Sequence, residues 1–387
     1  MDSLAKQNYS TELRELNWDF RDSSEDRELS QAHWYPARFV PEIPGIFIGY
    51  FSEIGDVVLD PFCGSGTTLT ESLRLSRNGV GIDVNPIATL ITQAKLLKFT
   101  EARLAEYTIS LQNRVSHYAL QRELLTPNYN ENRMWYHPET LHNLSAIWNA
   151  IGECDADMEV FGIATFSSIL RTCSSQDRHW GWICDNVRPK TLTQKDAIGI
   201  FFRHLQRFGS RMVQLEIERQ ELAIGRDRPT MTVLTGTAAN SLESISSNSV
   251  DLVVTSPPYY GVTDYVRSQR LTCLWLDLDV DQLKRKESGA RYQRHRLDPL
   301  SSYMGDMAQS FREVARVLKS DALCCIVAGE SSSRASYLGA FYQMLEEIGF
   351  VSEERILRSI PKRRSLNPSL ISEEISVFRK IRGGDLD

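Results

Sequence analysis

"VVLDPFCGSGTTL" (residues 57–69) decides the fold. Three apolar residues end in Asp60, Gly64 and Gly66 follow, and the stretch beyond carries Leu69 and Leu73 four positions apart, as one face of a helix requires. A strand that passes through a glycine turn into a helix is the opening unit of an open α/β sheet. Glycine lets the backbone approach a ligand closely, and the helix start offers unpaired N–H groups. The next apolar run, "GVGID" (79–83), ends in Asp83, an acid placed to accept from ribose hydroxyls. Turn and acid together describe a site for a nucleoside-bearing cofactor. The spacing lacks both the third glycine of a dinucleotide fingerprint and the Gly-Lys-Ser/Thr of a P-loop.

Outward from this unit, the alternation of strands and helices continues. "DVVLD" (56–60), "GVGID" (79–83), "MTVLT" (231–235), "VDLVVT" (250–255), "ALCCIVAG" (322–329), "RILRSI" (355–360) and "EISVFRK" (374–380) read as strands. The last two suit an antiparallel hairpin at the sheet edge. Helices are expected over 67–77, over 303–318 and up to Gly349. Between the second and third strands the roughly 130 residues of 101–230 are far more than a βαβ crossover needs. They form an insertion with helical periodicity at both ends and an aromatic, basic middle, "RTCSSQDRHWGWICDNVRPK" (171–190).

The second informative stretch is "VDLVVTSPPYYGVTDY" (250–265). A buried strand stops at Thr255 and is followed by Ser256, two prolines and two tyrosines. Proline fixes φ and removes a donor, so this corner cannot extend a ladder; it presents a hydroxyl, carbonyls and aromatic rings to something else.

"DPFCGSGTT" together with "TSPPY" resembles the S-adenosylmethionine-dependent amino-methyltransferases of DNA, of the Ser-Pro-Pro-Tyr, cytosine-N4-specific type. "HWYPARFVPEIPGIFIGYFSEIGD" (33–56) is similar to the family's segment at the methionine end of the cofactor. The resemblance covers 33–95 and 231–380. It implies a class I (Rossmann-like) α/β fold, with a seven-stranded mixed sheet, a terminal antiparallel hairpin and a mostly helical insertion. The implied division is an extension at 1–32, a catalytic domain at 33–100 and 231–387, and an insertion at 101–230 that reads the target. The cofactor is S-adenosyl-L-methionine, held by Arg38, Phe39, Pro41, Asp60, Phe62, Gly64, Gly66, Thr67 and Asp83. Where the family has an acid after the third strand to meet the adenine, this chain offers Thr237 or Asn240.

The catalytic residues implied are Ser256, Pro257, Pro258 and Tyr259. An exocyclic amine has its lone pair delocalised into the ring. The Ser256 hydroxyl and Pro257 carbonyl, as acceptors of its two N–H groups, favour pyramidal nitrogen, while Tyr259 stacks on a base flipped out of the duplex. Double-stranded DNA is the implied substrate, contacted by Tyr260, by Arg171, Arg178, Trp180 and Arg188 of the insertion, and by Lys284, Arg285 and Arg291 of "KRKESGARYQRHR" (284–296). In the family, serine at the first motif position goes more often with cytosine and aspartate with adenine. A restriction-modification setting, with a cognate restriction endonuclease as partner, is part of the same implication. An adenine-N6 enzyme, an RNA base methyltransferase and a catalytically silent nucleic-acid-binding homologue are the other readings these residues leave open.

Composition narrows the field. A chain of 387 residues with 42% hydrophobic residues suits a globular protein with a large core. No apolar run is long enough to span a membrane and the first residues are polar, so the chain reads as cytoplasmic. The seven cysteines have neither C-x-x-C nor zinc-type spacing, so no metal is expected. A carbon-5 cytosine methylase would need a thiolate, commonly after proline, and the chain has no Pro-Cys. A net charge of -6 confines any phosphate contact to local patches.

Overall fold

The computed structural model describes residues 12–20, 29–36, 40–176, 188–295, 297–331, 337–359 and 370–381. Helix α1 (Glu42–Phe51) precedes strand β1 (Val57–Asp60), and the glycine turn leads from β1 into α2 (Thr67–Arg74). Gly66, at the helix start, has φ +80°, and a Cβ there would stand 2.7 Å from the Thr92 side chain, so the turn needs glycine on both grounds. Strand β2 (Asn78–Asp83) is followed by α3 (Pro86–Lys95), whose start combines proline at its first position with the Asn85 side chain accepting from the Ile87 N–H at 3.0 Å.

The insertion then supplies α4 (Glu101–Ala119), α5 (Pro138–Ile151), α6 (Ala156–Cys173) and α7 (Ala197–Leu222). It ends at β3 (Met231–Thr235), and β4 (Val250–Thr255) leads through the Ser-Pro-Pro-Tyr corner to α8 (Pro299–Val317). Strand β5 (Leu318–Ser331), α9 (Leu338–Ile348), β6 (Phe350–Ser359) and β7 (Leu370–Lys380) complete the chain. Helix α8 starts four residues before its apolar periodicity does, because Asp298 caps it and Pro299 occupies its first position.

The sheet order is β3-β2-β1-β4-β5-β7-β6. β1 to β5 pair in parallel, and β7 runs antiparallel between β5 and β6. This is the class I methyltransferase arrangement. The terminal pair is a hairpin as expected, but only β6 is the edge; β7 lies inside the sheet with partners on both sides. The order reverses between β1 and β4, and ligands of open α/β sheets bind at such a switch point, beyond the carboxyl ends of the strands.

Alternation divides the core between the two faces. Val58, Leu252, Val254, Cys325, Ile375 and Val377 pack with Ile43 and Phe47 of α1 on one face. Leu59, Val253, Cys324 and Ile326 pack with Phe311 of α8 and Phe341 of α9 on the other. The insertion does not stand apart: Phe161, Phe166 and Phe208 share one apolar cluster with Leu69 and Leu73 of α2, Ala94 of α3 and Trp275. Phe161 is its centre, with ring centroids 4.6 Å from Phe99 and 5.1 Å from Phe208. Among the described residues no helix is long and apolar enough to cross a membrane, and six cysteines are free thiols.

This shared core predicts shared unfolding. Phe161→Ala should lower stability by about 4 kcal/mol, the usual cost of emptying a buried aromatic site, in one cooperative denaturation transition. Two separate transitions would show that the insertion folds independently of the sheet.

Candidate active site

A cavity of about 310 Å³ opens at the carboxyl ends of β1 to β4. Pro61 to Ser65 and Thr67 line it from the turn after β1, Asp83 and Asn85 from the tip of β2, Gly236 to Ala239 from beyond β3, and Ser256 and Pro258 from the corner after β4. Met307 and Ser310 of α8 close one wall; Tyr35, Tyr265 and the segment Arg285 to Ser288 lie along its mouth. The glycine turn and the Ser-Pro-Pro-Tyr corner, 190 residues apart in sequence, therefore share one hollow.

Asp83 organises the turn. Its Oδ2 accepts from the Gly64 N–H at 2.9 Å and its Oδ1 from the Asn85 N–H at 2.8 Å, while burial raises its pKa from the ordinary carboxylate range to about 6. Each oxygen keeps lone-pair capacity for a ligand hydroxyl. Asp60 is different. It is buried and absent from the cavity wall; one oxygen accepts from the Thr255 hydroxyl at 2.7 Å and from the Phe62 N–H at 3.1 Å, and the other from the Thr68 hydroxyl at 2.7 Å. It joins the ends of β1 and β4 to the start of α2.

The corner itself also departs from the sequence reading. Ser256 and Pro258 line the cavity, but the Pro258 carbonyl already accepts from the Tyr303 hydroxyl at 3.0 Å, and Pro257 is buried. Tyr259, expected as a stacking shelf, is buried and off the cavity wall. Its hydroxyl is drawn to Glu373 of β7 at 2.8 Å, which turns the ring into the protein. Tyr260 is half-buried against Tyr303 and Tyr337, at centroid distances of 5.5 and 6.1 Å.

Of the other residues singled out in the sequence, Phe62, Gly64, Thr67 and Thr237 line the cavity, whereas Gly66, Pro41 and Asn240 do not. Arg38, Phe39, Arg178 and Trp180 lie outside the described residues. Arg171 lies over the Trp34 ring, 4.7 Å from its centroid, and Arg188 is exposed and pairs with Glu131 at 3.2 Å. Lys284 pairs with Asp281 at 3.1 Å, Arg285 sits at the cavity mouth, and Arg291 is half-buried.

Tyr35, Asp306 and Glu287 are among the wall residues that escaped the sequence reading. The Tyr35 ring packs 3.5 Å from where a Gly64 Cβ would stand and stacks on Tyr265 at 6.1 Å. Asp306 of α8 accepts from the Ser288 hydroxyl at 2.8 Å and so fixes the mouth segment. Glu287 is buried; one oxygen accepts from the Tyr265 and Val266 N–H groups at 2.6 and 3.2 Å. Burial raises its pKa to about 7. As the one acid in the basic run 284–296, Glu287 carried a visible signal: a lone opposite charge in such a run has a local task.

A DNA methylase family model, of the N6/N4 type, matches residues 2–93, which hold the glycine turn and Asp83. Over this amino-terminal part the chain is similar to the DNA amino-methyltransferases. Among its relatives, the type II methyltransferase M.MvaI of Kocuria varians is 26% identical over 64% of this chain and 58% of its own length. M.BsoBI of Geobacillus stearothermophilus is 24% identical over 59% and 49%. M.MjaII of Methanocaldococcus jannaschii is 28% identical over 27% of this chain and 21% of its own length. The chain thus spans about half the length of the first two relatives, and less of the third.

S-adenosylmethionine is the cofactor of this methyltransferase family, and the cavity suits it. Gly64 leaves room against Tyr35 for close backbone approach, and Asp83 faces the hollow as a hydroxyl acceptor. Ser65 has a buried hydroxyl without a partner, and Glu287 places a carboxylate in the wall for a cationic or N–H group. Phe62 and Met307 supply apolar surface for a ring, and among the described residues no cluster of His, Cys, Asp and Glu would hold a metal.

The raised carboxylates set a pH dependence. For Asp83 and Glu287 the folded pKa lies above the unfolded one, so the folded state binds more protons and these groups favour it at low pH. That contribution is lost as pH rises from about 4 to about 7. Glu287 alone accounts for at most about 3 kcal/mol. The thermal midpoint of the ligand-free protein should therefore fall across this window, and Glu287→Gln should flatten the fall. An identical pH profile in that variant would contradict the assignment.

Proposed function

We propose that this methyltransferase modifies the exocyclic amine of a base flipped out of duplex DNA, and that the base is cytosine, giving N4-methylcytosine. The observation that carries the reading is that Ser256 lines the same cavity as Gly64 and Asp83, so an amine held by the corner lies beside the cofactor. S-adenosylmethionine supplies an electrophilic methyl group on a sulfonium sulfur. The chain's own residues have to bind, align and desolvate: Asp83 and the glycine turn hold the nucleoside, and Ser256 accepts an N–H of the amine, which frees the nitrogen lone pair. With Tyr259 turned inward and the Pro258 carbonyl occupied, Ser256 is the acceptor of this corner that faces the cavity without another task there.

The preference for cytosine rests on the Thr-Ser-Pro-Pro-Tyr form of the corner and its resemblance to cytosine-N4 enzymes. Exposed Arg285 and Lys286 at the cavity mouth suit phosphates flanking the flipped base. Reading of the target sequence is assigned to the insertion, where Arg188 is exposed, and similarity to type II methyltransferases supports a restriction-modification role with a cognate endonuclease.

Incubating the protein with duplex DNA and S-adenosylmethionine, digesting to nucleosides and weighing them should give N4-methylcytidine as the deoxynucleoside. Ser256→Ala should slow transfer roughly a hundredfold while affinity for S-adenosylhomocysteine holds, because the serine acts on the amine. N6-methyladenine as the sole product would overturn the choice of base. Transfer to structured RNA in place of DNA would overturn the polymer, and a full rate in the serine variant the role of Ser256.

A further inference from the structure

Behind Ser256 stands a chain of hydrogen bonds that ends in a buried ion pair. The Ser256 hydroxyl donates to the Tyr259 oxygen at 3.3 Å, and the Tyr259 hydroxyl donates to Oε1 of Glu373 at 2.8 Å. The other Glu373 oxygen lies 3.2 Å from Nε of Arg358. Glu373 and Arg358 face each other across the β6–β7 ladder, and both are buried. Because β7 runs antiparallel to β5, its first residues lie beside the carboxyl ends of the parallel strands, which brings Glu373 to the corner after β4.

We propose that Glu373 is a positioning residue that fixes the hydrogen-bond direction of Ser256, making it an obligate acceptor toward the target amine. The proposal rests on the reading of Ser256 given above. A carboxylate facing a guanidinium offers only acceptors, so Tyr259 must donate to it. The phenol has one hydrogen; once that is committed, its oxygen serves Ser256 only as an acceptor. Ser256 also has one hydrogen, which it spends on Tyr259, and only lone pairs remain to face the cavity. An isolated serine would rotate and present its hydrogen to the amine as readily as its lone pairs. Burial and the neighbouring Glu373 both raise the Tyr259 pKa, which keeps the phenolic hydrogen in place. Tyr259 therefore contributes through its hydroxyl, and its burial is part of that task.

The direction of the chain is testable because it can be reversed. In Glu373→Gln the Arg358 guanidinium, a donor only, attracts the amide oxygen and leaves the amide nitrogen to donate to Tyr259. Tyr259 then donates to Ser256, whose hydrogen points at the amine. Tyr259→Phe instead breaks the chain and lets Ser256 rotate. Methyl transfer to DNA should show kcat lowered about tenfold in Tyr259→Phe and about a hundredfold in Glu373→Gln, with the double variant restored to the level of Tyr259→Phe. KM for S-adenosylmethionine should hold throughout. A Glu373→Gln enzyme no slower than Tyr259→Phe, or a double variant whose loss is the product of the two, overturns the proposal. Should Glu373→Gln fail to bind S-adenosylhomocysteine, Tyr259→Phe decides alone: a wild-type kcat refutes the relay, and a tenfold loss at constant KM supports it. Absence of transfer by the wild-type protein would instead be a failure of the parent reading.

Discussion

One carboxylate holds the two halves of the site together. Asp60 ends β1, accepts from Thr255 at the end of β4 and from Thr68 in the first turn of α2, and so ties the glycine turn to the strand that carries Ser256. The backbone ladder between β1 and β4 stops short of this point, at Leu59 and Val253. Beyond it, the gap at the switch point is bridged by these side chains. The tie has a cost: burial raises the Asp60 pKa to about 6 against the lowering effect of the two hydroxyls and the Phe62 N–H. A buried carboxylate with three donors is rigid, and the two loops it joins must hold cofactor and amine in fixed register for a displacement reaction.

A second constraint comes from strand direction. Parallel strands deliver their carboxyl ends to the cavity, which suits loops and the glycine turn. An antiparallel β7 delivers its beginning to the same edge, so Glu373 arrives behind the Ser-Pro-Pro-Tyr corner with Arg358 beside it. The mouth segment is pinned in three directions: Glu287 receives the Tyr265 and Val266 N–H groups, Ser288 donates to Asp306, and the Gly289 carbonyl accepts from the Gly261 N–H at 2.7 Å. An acid and two cations thus share one short stretch that lines the cavity, the acid buried and the cations exposed.

Much of the fold was legible because its signals are local. The glycine turn, the apolar runs and the breaks after them lie within windows of ten residues, and each strand read from them is present in the sheet. Gly64, Asp83 and Ser256, singled out from three short stretches, line one cavity. What was not legible depends on partners far along the chain. Asp60 reads as a cofactor ligand until Thr255, 195 residues away, claims it. Tyr259 reads as a stacking ring until Glu373, 114 residues on, takes its hydroxyl. Arg171 reads as a base reader, yet Trp34 offers its guanidinium a ring face. In each case the residue type was noticed, and a distant partner decided its orientation.

The central claim is that the Asp60 tie couples the two loops, and Thr255→Val tests it most directly. Valine matches threonine in shape, Thr255 touches no part of the cavity wall, and the change removes one hydrogen bond to a carboxylate. Calorimetric titration with S-adenosylhomocysteine should show affinity about five- to tenfold weaker, because loosening β4 releases the glycine turn through Asp60. An unchanged dissociation constant would contradict the account and leave the two loops independent.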